Sequence, residues 1–173
     1  MLYKEAIEDE LEIMLQKLKE SPESLSHDQI HISLCDLMLP PIAIEIGASL
    51  QEGIEMINNN NVGSVLVKQD GILKGIFGER DVMRKILSAR LAEGWSAMPV
   101  EKFMTPDPQT LSFDDTLDVA MLNMVEGDYR HIPIVDEHNR PVGIISMRCI
   151  ISYFIECLPQ TMLAFPIRTR EGA

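Results

Sequence analysis

The residues that could do chemistry cluster around GIFGERD, residues 75–81, where two glycines precede an aspartate. A glycine–x–x–glycine loop can clamp an RNA backbone, but this one contains no lysine. The phosphate-loop pattern, GxxxxGK followed by serine or threonine, does not occur in the sequence, so hydrolysis by that mechanism has no support. Asp81 by itself is typical of an acid in the first turn of a helix. The stretch therefore indicates first a strand that passes into a helix.

Other reactive side chains give weaker signals. His27 and His31 have the spacing of a helical metal pair, but no HExxH motif accompanies them, and we predict no metal site. The three cysteines are odd in number and lack CxxC spacing, which is typical of reduced thiols in an intracellular protein. A nucleophilic pair of Cys149 and His131 has no recognisable orienting partner. We therefore predict that the protein is not an enzyme.

The charge of the chain narrows the classes of partner. Lys and Arg number 15 against 27 Asp and Glu, which gives a net charge of −12. A polyanion would meet a repulsive field, so we predict no nucleic-acid partner, whereas two or three local arginines could still hold one phosphate group. The acidic N-terminus does not resemble a signal peptide, and no apolar run is long enough to span a bilayer. We predict a cytoplasmic protein with no membrane partner.

The sequence contains two tandem copies of one unit of about 60 residues, a length typical of a duplicated small domain. The corresponding segments are LCDLM (34–38) and VEKFM (100–104), 45–57 and 112–124, NVGSVLV (61–67) and DYRHIPI (128–134), and GIFGERD (75–81) and GIISMRC (143–149). The predicted division is an N-terminal helix and linker at 1–31, a first unit at 32–91, a linker at 92–99, a second unit at 100–158 and a tail at 159–173.

Each unit is predicted to run strand, helix, strand, strand, helix, an α/β (α+β) arrangement with its helices on one face of a small sheet. Ser49 followed by Glu52 is a capping-box signature ahead of apolar residues at helical spacing. Asp115 or Thr116 is expected to cap the corresponding helix of the second unit. The predicted hairpin strands and closing helices are 65–67, 72–77 and 80–91 in the first unit, and 132–135, 142–145 and 147–158 in the second.

Two such units resemble a tandem pair of CBS domains, also called a Bateman module. The resemblance covers roughly residues 33–157 and rests on the repeated LM…P segment, the RHIPIVD strand and the glycine-containing stretch before each last helix. It implies two units related by pseudo-twofold symmetry, with two clefts between their sheets, and a homodimeric disc. It also implies a regulatory role: the clefts would bind AMP, ADP, ATP, S-adenosylmethionine or NAD and signal to an unidentified regulated protein.

The resemblance also indicates which cleft is the better site. Members of the family show a Gly–apolar–x–Thr/Ser–x–x–Asp stretch, whose aspartate accepts hydrogen bonds from both ribose hydroxyls. The first unit keeps Asp81, but Gly78 stands where the hydroxyl residue is expected. The second unit keeps Ser146, but Cys149 replaces the aspartate. Because a carboxylate offers two oxygens to a vicinal diol, we expect the main ligand site beside Asp81.

By the same resemblance, the second unit supplies the groups that bind the phosphate in this cleft. These are Arg130 and His131 at the start of its middle strand, and Arg148 ahead of its last helix. Ile76 and the backbone near Thr110 would frame the adenine. The second, weaker cleft would contain Ser146, Ile144 and Ile44.

Two alternatives to a ligand sensor stay open. A degenerate CBS pair could bind nothing and serve as a dimeric scaffold, which the incomplete motif in each unit favours. An enzyme acting on nucleotides is the other alternative, although it would need Cys149 or an added metal. The N-terminal segment carries an apolar stripe and predicts a helix over 4–20 that packs on its own domain or docks a partner; the stripe consists of Ile7, Leu11, Met14 and Leu18.

Overall fold

A computed structural model describes residues 32–87 and 94–157 of the chain. The predicted N-terminal helix, the His27 and His31 pair and the tail from residue 159 lie outside these residues. Within the described ranges the chain forms two small sheets with helices packed against them. The predicted mixed α/β (α+β) class, with strand, helix, strand, strand and helix in each repeat, is confirmed.

The first sheet has four strands in the order β1–β2–β3–β4. Their bounds are Ala43–Glu45 for β1, Ser64–Gln69 for β2, Ile72–Gly78 for β3 and Thr105–Pro106 for β4. Strand β1 runs parallel to β2, and β2 and β3 form the predicted antiparallel hairpin, in which Ser64 lies opposite Gly78. Asp70 and Gly71 form its turn in the left-handed region, with φ of 52° and 81°. Such a turn suits a short polar residue followed by glycine.

The second sheet repeats this arrangement with three strands in the order β5–β6–β7. Their bounds are Leu111–Ser112 for β5, His131–Val135 for β6 and Pro141–Ser146 for β7. Strand β5 is parallel to β6, and β6 and β7 form the predicted antiparallel hairpin. His131 lies opposite Ser146, which corresponds to the Ser64–Gly78 pair of the first sheet. The two repeats therefore present equivalent strand ends, with different side chains.

The helices are α1 (Leu50–Asn60), α2 (Glu79–Asp81, continuing as a π-helical segment over Val82–Leu87), α3 (Leu117–Gly127) and α4 (Met147–Cys157). Helix α1 begins with the predicted capping box: the Ser49 hydroxyl accepts from the Glu52 amide, and the Glu52 carboxylate accepts from the Ser49 amide at 2.7 Å. The bonds from the Ser49 amide and hydroxyl lower the pKa of Glu52. Asn61 ends the helix in the left-handed conformation, with φ of 51°.

The starts of two helices agree only in part with the prediction. Thr116 is the N-cap residue of α3, as predicted, but its hydroxyl donates to the Asp118 carboxylate and makes no capping bond. Asp115 instead accepts from the Ser112 amide at 2.7 Å, which closes the turn before the helix. The closing helix of the first repeat was expected to start at residue 80. It starts at Glu79 and becomes π-helical after three residues, so i→i+5 bonds replace the expected α-helical pattern.

Two hydrophobic clusters form the core, and each contains residues from both repeats. Val100, Phe103 and Met104, at the start of the second repeat, pack into the cluster on the first sheet. Leu34, at the start of the first repeat, is fully buried in the cluster on the second sheet. Backbone hydrogen bonds also link the repeats: β4, from the second repeat, pairs with β3, and Leu39, from the first repeat, pairs with β7. The start of each repeat thus packs on the sheet of the other repeat. These exchanged lead-in segments tie the two sheets together and position the cleft between them.

Candidate functional site

Asp81 is the last residue of α2, directly after β3. Its Oδ2 accepts a hydrogen bond from the Gly78 amide at 3.0 Å, and its Oδ1 lies 2.7 Å from the Lys85 Nζ. The Thr105 hydroxyl lies 3.5 Å from the same Oδ1. The side chain is only 14% exposed. Because each carboxylate oxygen can accept more than one hydrogen bond, Asp81 keeps acceptor capacity for a ligand.

Asp81 lines a cleft of about 650 Å³ that both repeats build, and we refer to it as the Asp81 cleft. The first repeat contributes Ile76 and Gly78 beside Asp81, and the second contributes Arg130 and His131. These five residues, all predicted from the sequence, are therefore brought to one cleft. Residues that line it without having been predicted include Ser64, Arg80, Arg84, Lys85, Asp128 and Tyr129.

Two predicted residues are not among those that line the Asp81 cleft. Thr110 is half-buried just before β5, and Arg148 is exposed in the first turn of α4. Arg80, the counterpart of Arg148 in the first repeat, lines the cleft instead of Arg148. The cations at this cleft therefore come from both repeats, whereas the sequence comparison placed them in the second.

Arg80 connects the two repeats across the cleft. Its Nη1 donates to the Asp128 carbonyl at 3.0 Å and to the Asp128 Oδ2 at 3.1 Å. Asp128 follows α3 in the left-handed conformation, with φ of 54°, which a short polar residue tolerates. The two side chains are 36% and 59% exposed, so solvent screens the pair and its contribution to stability is at most about 1 kcal/mol.

His131 begins β6 and packs against the first repeat. A Cβ added at Gly63 would lie 2.7 Å from the His131 Cε1, so the absence of a side chain at position 63 makes room for the imidazole. Burial, followed by the charges of Arg130 and Arg80, lowers the pKa of His131. The ring is therefore neutral at pH 7 and has one donor and one acceptor nitrogen.

Ser64 is a polar residue of the cleft that the sequence comparison missed. It is 5% exposed, and its Oγ has no hydrogen-bond partner among the described residues. Buried hydroxyls without a partner are uncommon in native structures. Ser64 lies opposite Gly78, where an added Cβ would lie 3.4 Å from the Ser64 Cβ and 3.2 Å from the Gly63 carbonyl oxygen. The hydroxyl that position 78 lacks is thus present on the adjacent strand.

The equivalent strand end of the second repeat is arranged differently. The Ser146 Oγ accepts from the Cys149 amide at 3.2 Å and lies 3.0 Å from the Cys149 Sγ, so this hydroxyl caps α4. Ile144 pairs through its backbone with Leu39, and Ile44 is buried in the first core cluster. The residues predicted for the second cleft are therefore engaged in capping, strand pairing and packing.

Three further observations concern the described residues as a whole. Within 32–87 and 94–157, no three His, Cys, Asp or Glu side chains come close enough together to hold a metal ion. No helix in the same ranges is both long and apolar enough to cross a bilayer. Cys35, Cys149 and Cys157 are all free thiols.

Comparison with known families gives two matches in this chain. The model of the CBS domain matches residues 34–88 and 100–156. These two ranges together make up more than half of the chain and coincide with the two repeats.

Curated relatives match about two thirds of the chain. CBS domain-containing protein YhcV of Bacillus subtilis is 28% identical over 116 residues, which are 66% of this chain and 80% of that protein. The meiotically up-regulated gene 70 protein of Schizosaccharomyces pombe is 29% identical over 116 residues, or 67% of this chain. The matched region spans only 16% of the length of the S. pombe protein.

Solved structures show the same fold. The CBS domain pair of protein MJ0100, in complex with 5′-methylthioadenosine and S-adenosyl-L-methionine, superposes with a TM-score of 0.66 at 22% identity, covering 74% of this chain and 99% of that one. A CBS domain protein from Pyrobaculum aerophilum complexed with AMP gives a TM-score of 0.63 at 23% identity, covering 76% and 95%.

Proposed function

Because this chain belongs to the CBS-domain family, matched at both of its repeats, we propose that it is a regulatory module that binds an adenosine-containing ligand in the Asp81 cleft. The observation that carries the proposal is the composition of this cleft. A partly buried carboxylate from the first repeat lines the same cavity as Arg130 and His131 from the second. A ligand held by both repeats would favour one relative arrangement of them, as a sensor requires.

The chemistry of the cleft suits a nucleoside with a small anionic group. Asp81 would accept hydrogen bonds from the two ribose hydroxyls through the lone pairs that Gly78 and Lys85 leave available. Arg130 is exposed in the cleft and makes no ion pair within the described residues, so its guanidinium is available to a phosphate. The half-buried Ile76 provides an apolar surface for the base.

The hydroxyl of Ser64 adds a second argument for a ligand. A buried hydroxyl without a partner costs free energy unless something else satisfies it. Because Ser64 lines the Asp81 cleft, a polar group of the ligand would supply the missing hydrogen bond. We propose that Ser64 replaces the hydroxyl that the family pattern places at position 78.

Solved relatives support this class of ligand. One binds AMP, and another binds 5′-methylthioadenosine and S-adenosyl-L-methionine. All three molecules contain an adenosine group, which the Asp81 cleft would recognise through its ribose. The regulated protein is unidentified, and signalling to it is part of the proposal.

A dimeric scaffold is the second candidate function. Large apolar side chains are exposed on the helices of the second repeat, as expected for a surface that binds another protein; they are Leu122 and Val125 on α3, and Ile151 and Ile155 on α4, all between 46% and 61% exposed. The same surface supports the predicted homodimer. A scaffold and a sensor differ in whether the Asp81 cleft takes a ligand.

A thermal-shift screen tests the proposed function. AMP, ADP, ATP, NAD, S-adenosylmethionine and 5′-methylthioadenosine would each be added to the purified chain at millimolar concentration. A ligand present at about 100 times its Kd stabilises the folded state by about 2.7 kcal/mol, which gives a clear rise in Tm. We expect at least one of these compounds to stabilise the protein. If none of them raises the Tm, the sensor proposal is wrong and the scaffold is favoured.

A further inference from the structure

The charged side chains of the Asp81 cleft balance one another. Four cationic side chains line it: Arg80, Arg84, Lys85 and Arg130. Four carboxylates line it as well: Glu79, Asp81, Asp107 and Asp128. His131 adds no charge at pH 7, since its pKa is lowered. The cleft therefore carries no net charge, although it is large enough for a nucleotide.

Two of the four cations already have carboxylate partners. Lys85 pairs with Asp81 at 2.7 Å and also donates to the carbonyls of Phe103 and Met104. Arg80 pairs with Asp128 across the two repeats. Arg84 and Arg130 make no ion pair within the described ranges, so they are the cations that remain for an anionic ligand.

This balance bears on the number of phosphate groups that the cleft can accept. AMP carries about two negative charges at pH 7, and each further phosphate group adds about one more. Two unpaired arginines can match a monophosphate. The additional charges of a triphosphate would meet Glu79, Asp107 and Asp128 without matching cations, and this repulsion grows in proportion to the ligand charge.

We propose that Asp128, by pairing with Arg80, makes the Asp81 cleft selective for adenosine ligands with a single phosphate group, so that AMP binds more tightly than ADP or ATP. The inference rests on the proposed function, because it concerns the selectivity of the same cleft. Asp128 is the specificity-determining residue, since its carboxylate neutralises Arg80, which reaches across from the first repeat.

The variant Asp128→Asn isolates the charge. Asparagine tolerates the left-handed conformation at least as well as aspartate, and the bond from Arg80 to the main-chain carbonyl remains. The matched control is Asp70→Asn, the same change at a left-handed residue, exposed in the β2–β3 turn and absent from the lining of the cleft. Arg80→Gln changes the charge in the opposite direction, and the double variant restores neutrality.

The experiment is a calorimetric titration of AMP, ADP and ATP into these proteins at constant ionic strength, first with EDTA and then with Mg²⁺. We expect Asp128→Asn to tighten ATP binding by about tenfold and AMP binding by about threefold, because the effect scales with ligand charge. Arg80→Gln should shift the ATP-to-AMP affinity ratio the other way, and the double variant should return it to the wild-type value. Mg²⁺, which neutralises part of the ATP charge, and added salt should both reduce these differences.

The outcomes separate this inference from the proposed function. If AMP binds the wild-type chain but ATP binds equally well or better, the selectivity inference is wrong and the proposed function stands. The inference is equally wrong if Asp128→Asn leaves the ratio unchanged or changes it no more than Asp70→Asn does. A double variant that behaves like Asp128→Asn would show that charge balance does not set the ratio. If AMP, ADP and ATP all fail to bind the wild-type chain, the selectivity inference is wrong. The proposed function then fails only if S-adenosylmethionine, 5′-methylthioadenosine and NAD also leave the Tm unchanged.

Discussion

The two repeats have the same fold but use equivalent strand ends for different purposes. In the first repeat, the Asp81 carboxylate accepts the Gly78 amide and lines the cleft, while the Ser64 hydroxyl on the neighbouring strand has no partner among the described residues. In the second repeat, the Ser146 hydroxyl caps α4 and contacts Cys149. Each repeat thus has a polar group that caps its last helix, and in the first repeat that group also faces the cleft.

The difference shows that both repeats keep an acceptor at the start of the last helix, although the acceptor is a carboxylate in one and a hydroxyl in the other. A helix start needs an acceptor for its free amides, which either a carboxylate or a hydroxyl can provide. Binding a ribose diol needs the two oxygens of a carboxylate. Under the proposed function, Cys149 in place of an aspartate would leave the fold of the second repeat intact and give it no carboxylate for a ribose.

The largest effect is expected from Asp81→Asn. The amide keeps the size of the side chain but loses the charge-assisted hydrogen bonds to ribose, so the affinity for AMP should fall by about 30-fold or more. Lys85 keeps its bonds to the Phe103 and Met104 carbonyls, which should preserve the local structure. Calorimetric titration measures the change, with Asp114→Asn, an exposed acid outside the lining of the cleft, as the control. If Asp81→Asn binds AMP as tightly as Asp114→Asn does, the proposal that the first repeat provides the ribose ligand is wrong.

Ser64→Ala is expected to act on binding and stability in different directions. Removing an unpartnered buried hydroxyl should leave the Tm of the free protein unchanged or slightly higher. The loss of one hydrogen bond to the ligand should weaken AMP binding by about three- to tenfold. A variant with a lower Tm and unchanged affinity would assign Ser64 a purely structural role.

Ser146→Ala should show the opposite behaviour. Without its cap, α4 should lose about 1 kcal/mol of stability, which thermal or urea unfolding would detect. AMP affinity should stay at the wild-type value, because Ser146 does not line the Asp81 cleft. Weaker AMP binding without a loss of stability would instead place the main ligand site in the second cleft.

The smallest effect is expected from pH and concerns His131. Because burial and the neighbouring arginines lower its pKa in the folded state, the unfolded chain binds the proton more readily. The stability that the neutral ring contributes is therefore fully present above the ordinary histidine pKa of about 6.5 and is lost as the pH falls below it. Between pH 7.5 and 5.5, the free energy of unfolding should decline less in His131→Gln than in the wild-type chain. If it declines equally in both proteins, His131 is not the source of this pH dependence.

Much of the fold could be predicted from the sequence, because repeats, capping signals and alternating apolar residues are local patterns. Ser49 and Glu52 were correctly assigned to the start of α1 for this reason. The exchange of lead-in segments could not be predicted, because it depends on tertiary packing of residues such as Leu34 and Val100.

Site residues that lie in motifs of the sequence could be predicted, whereas residues that matter because of contacts between strands could not. Asp81, Arg130 and His131 were named from the resemblance to CBS domains, and all three line one cleft. Ser64 was missed because its relevance comes from lying opposite Gly78 on another strand. Arg80 was not predicted as a cleft residue, because its position there involves a bond to Asp128, 48 residues away.

The stoichiometry of AMP binding tests the central claim most directly. If the first repeat alone has a competent ribose ligand, isothermal titration should find one AMP per chain, and Asp81→Asn should weaken that binding event by about 30-fold or more without exposing another. Two equivalent AMP molecules per chain, or a single one that survives Asp81→Asn, would contradict the assignment of the main site to the Asp81 cleft.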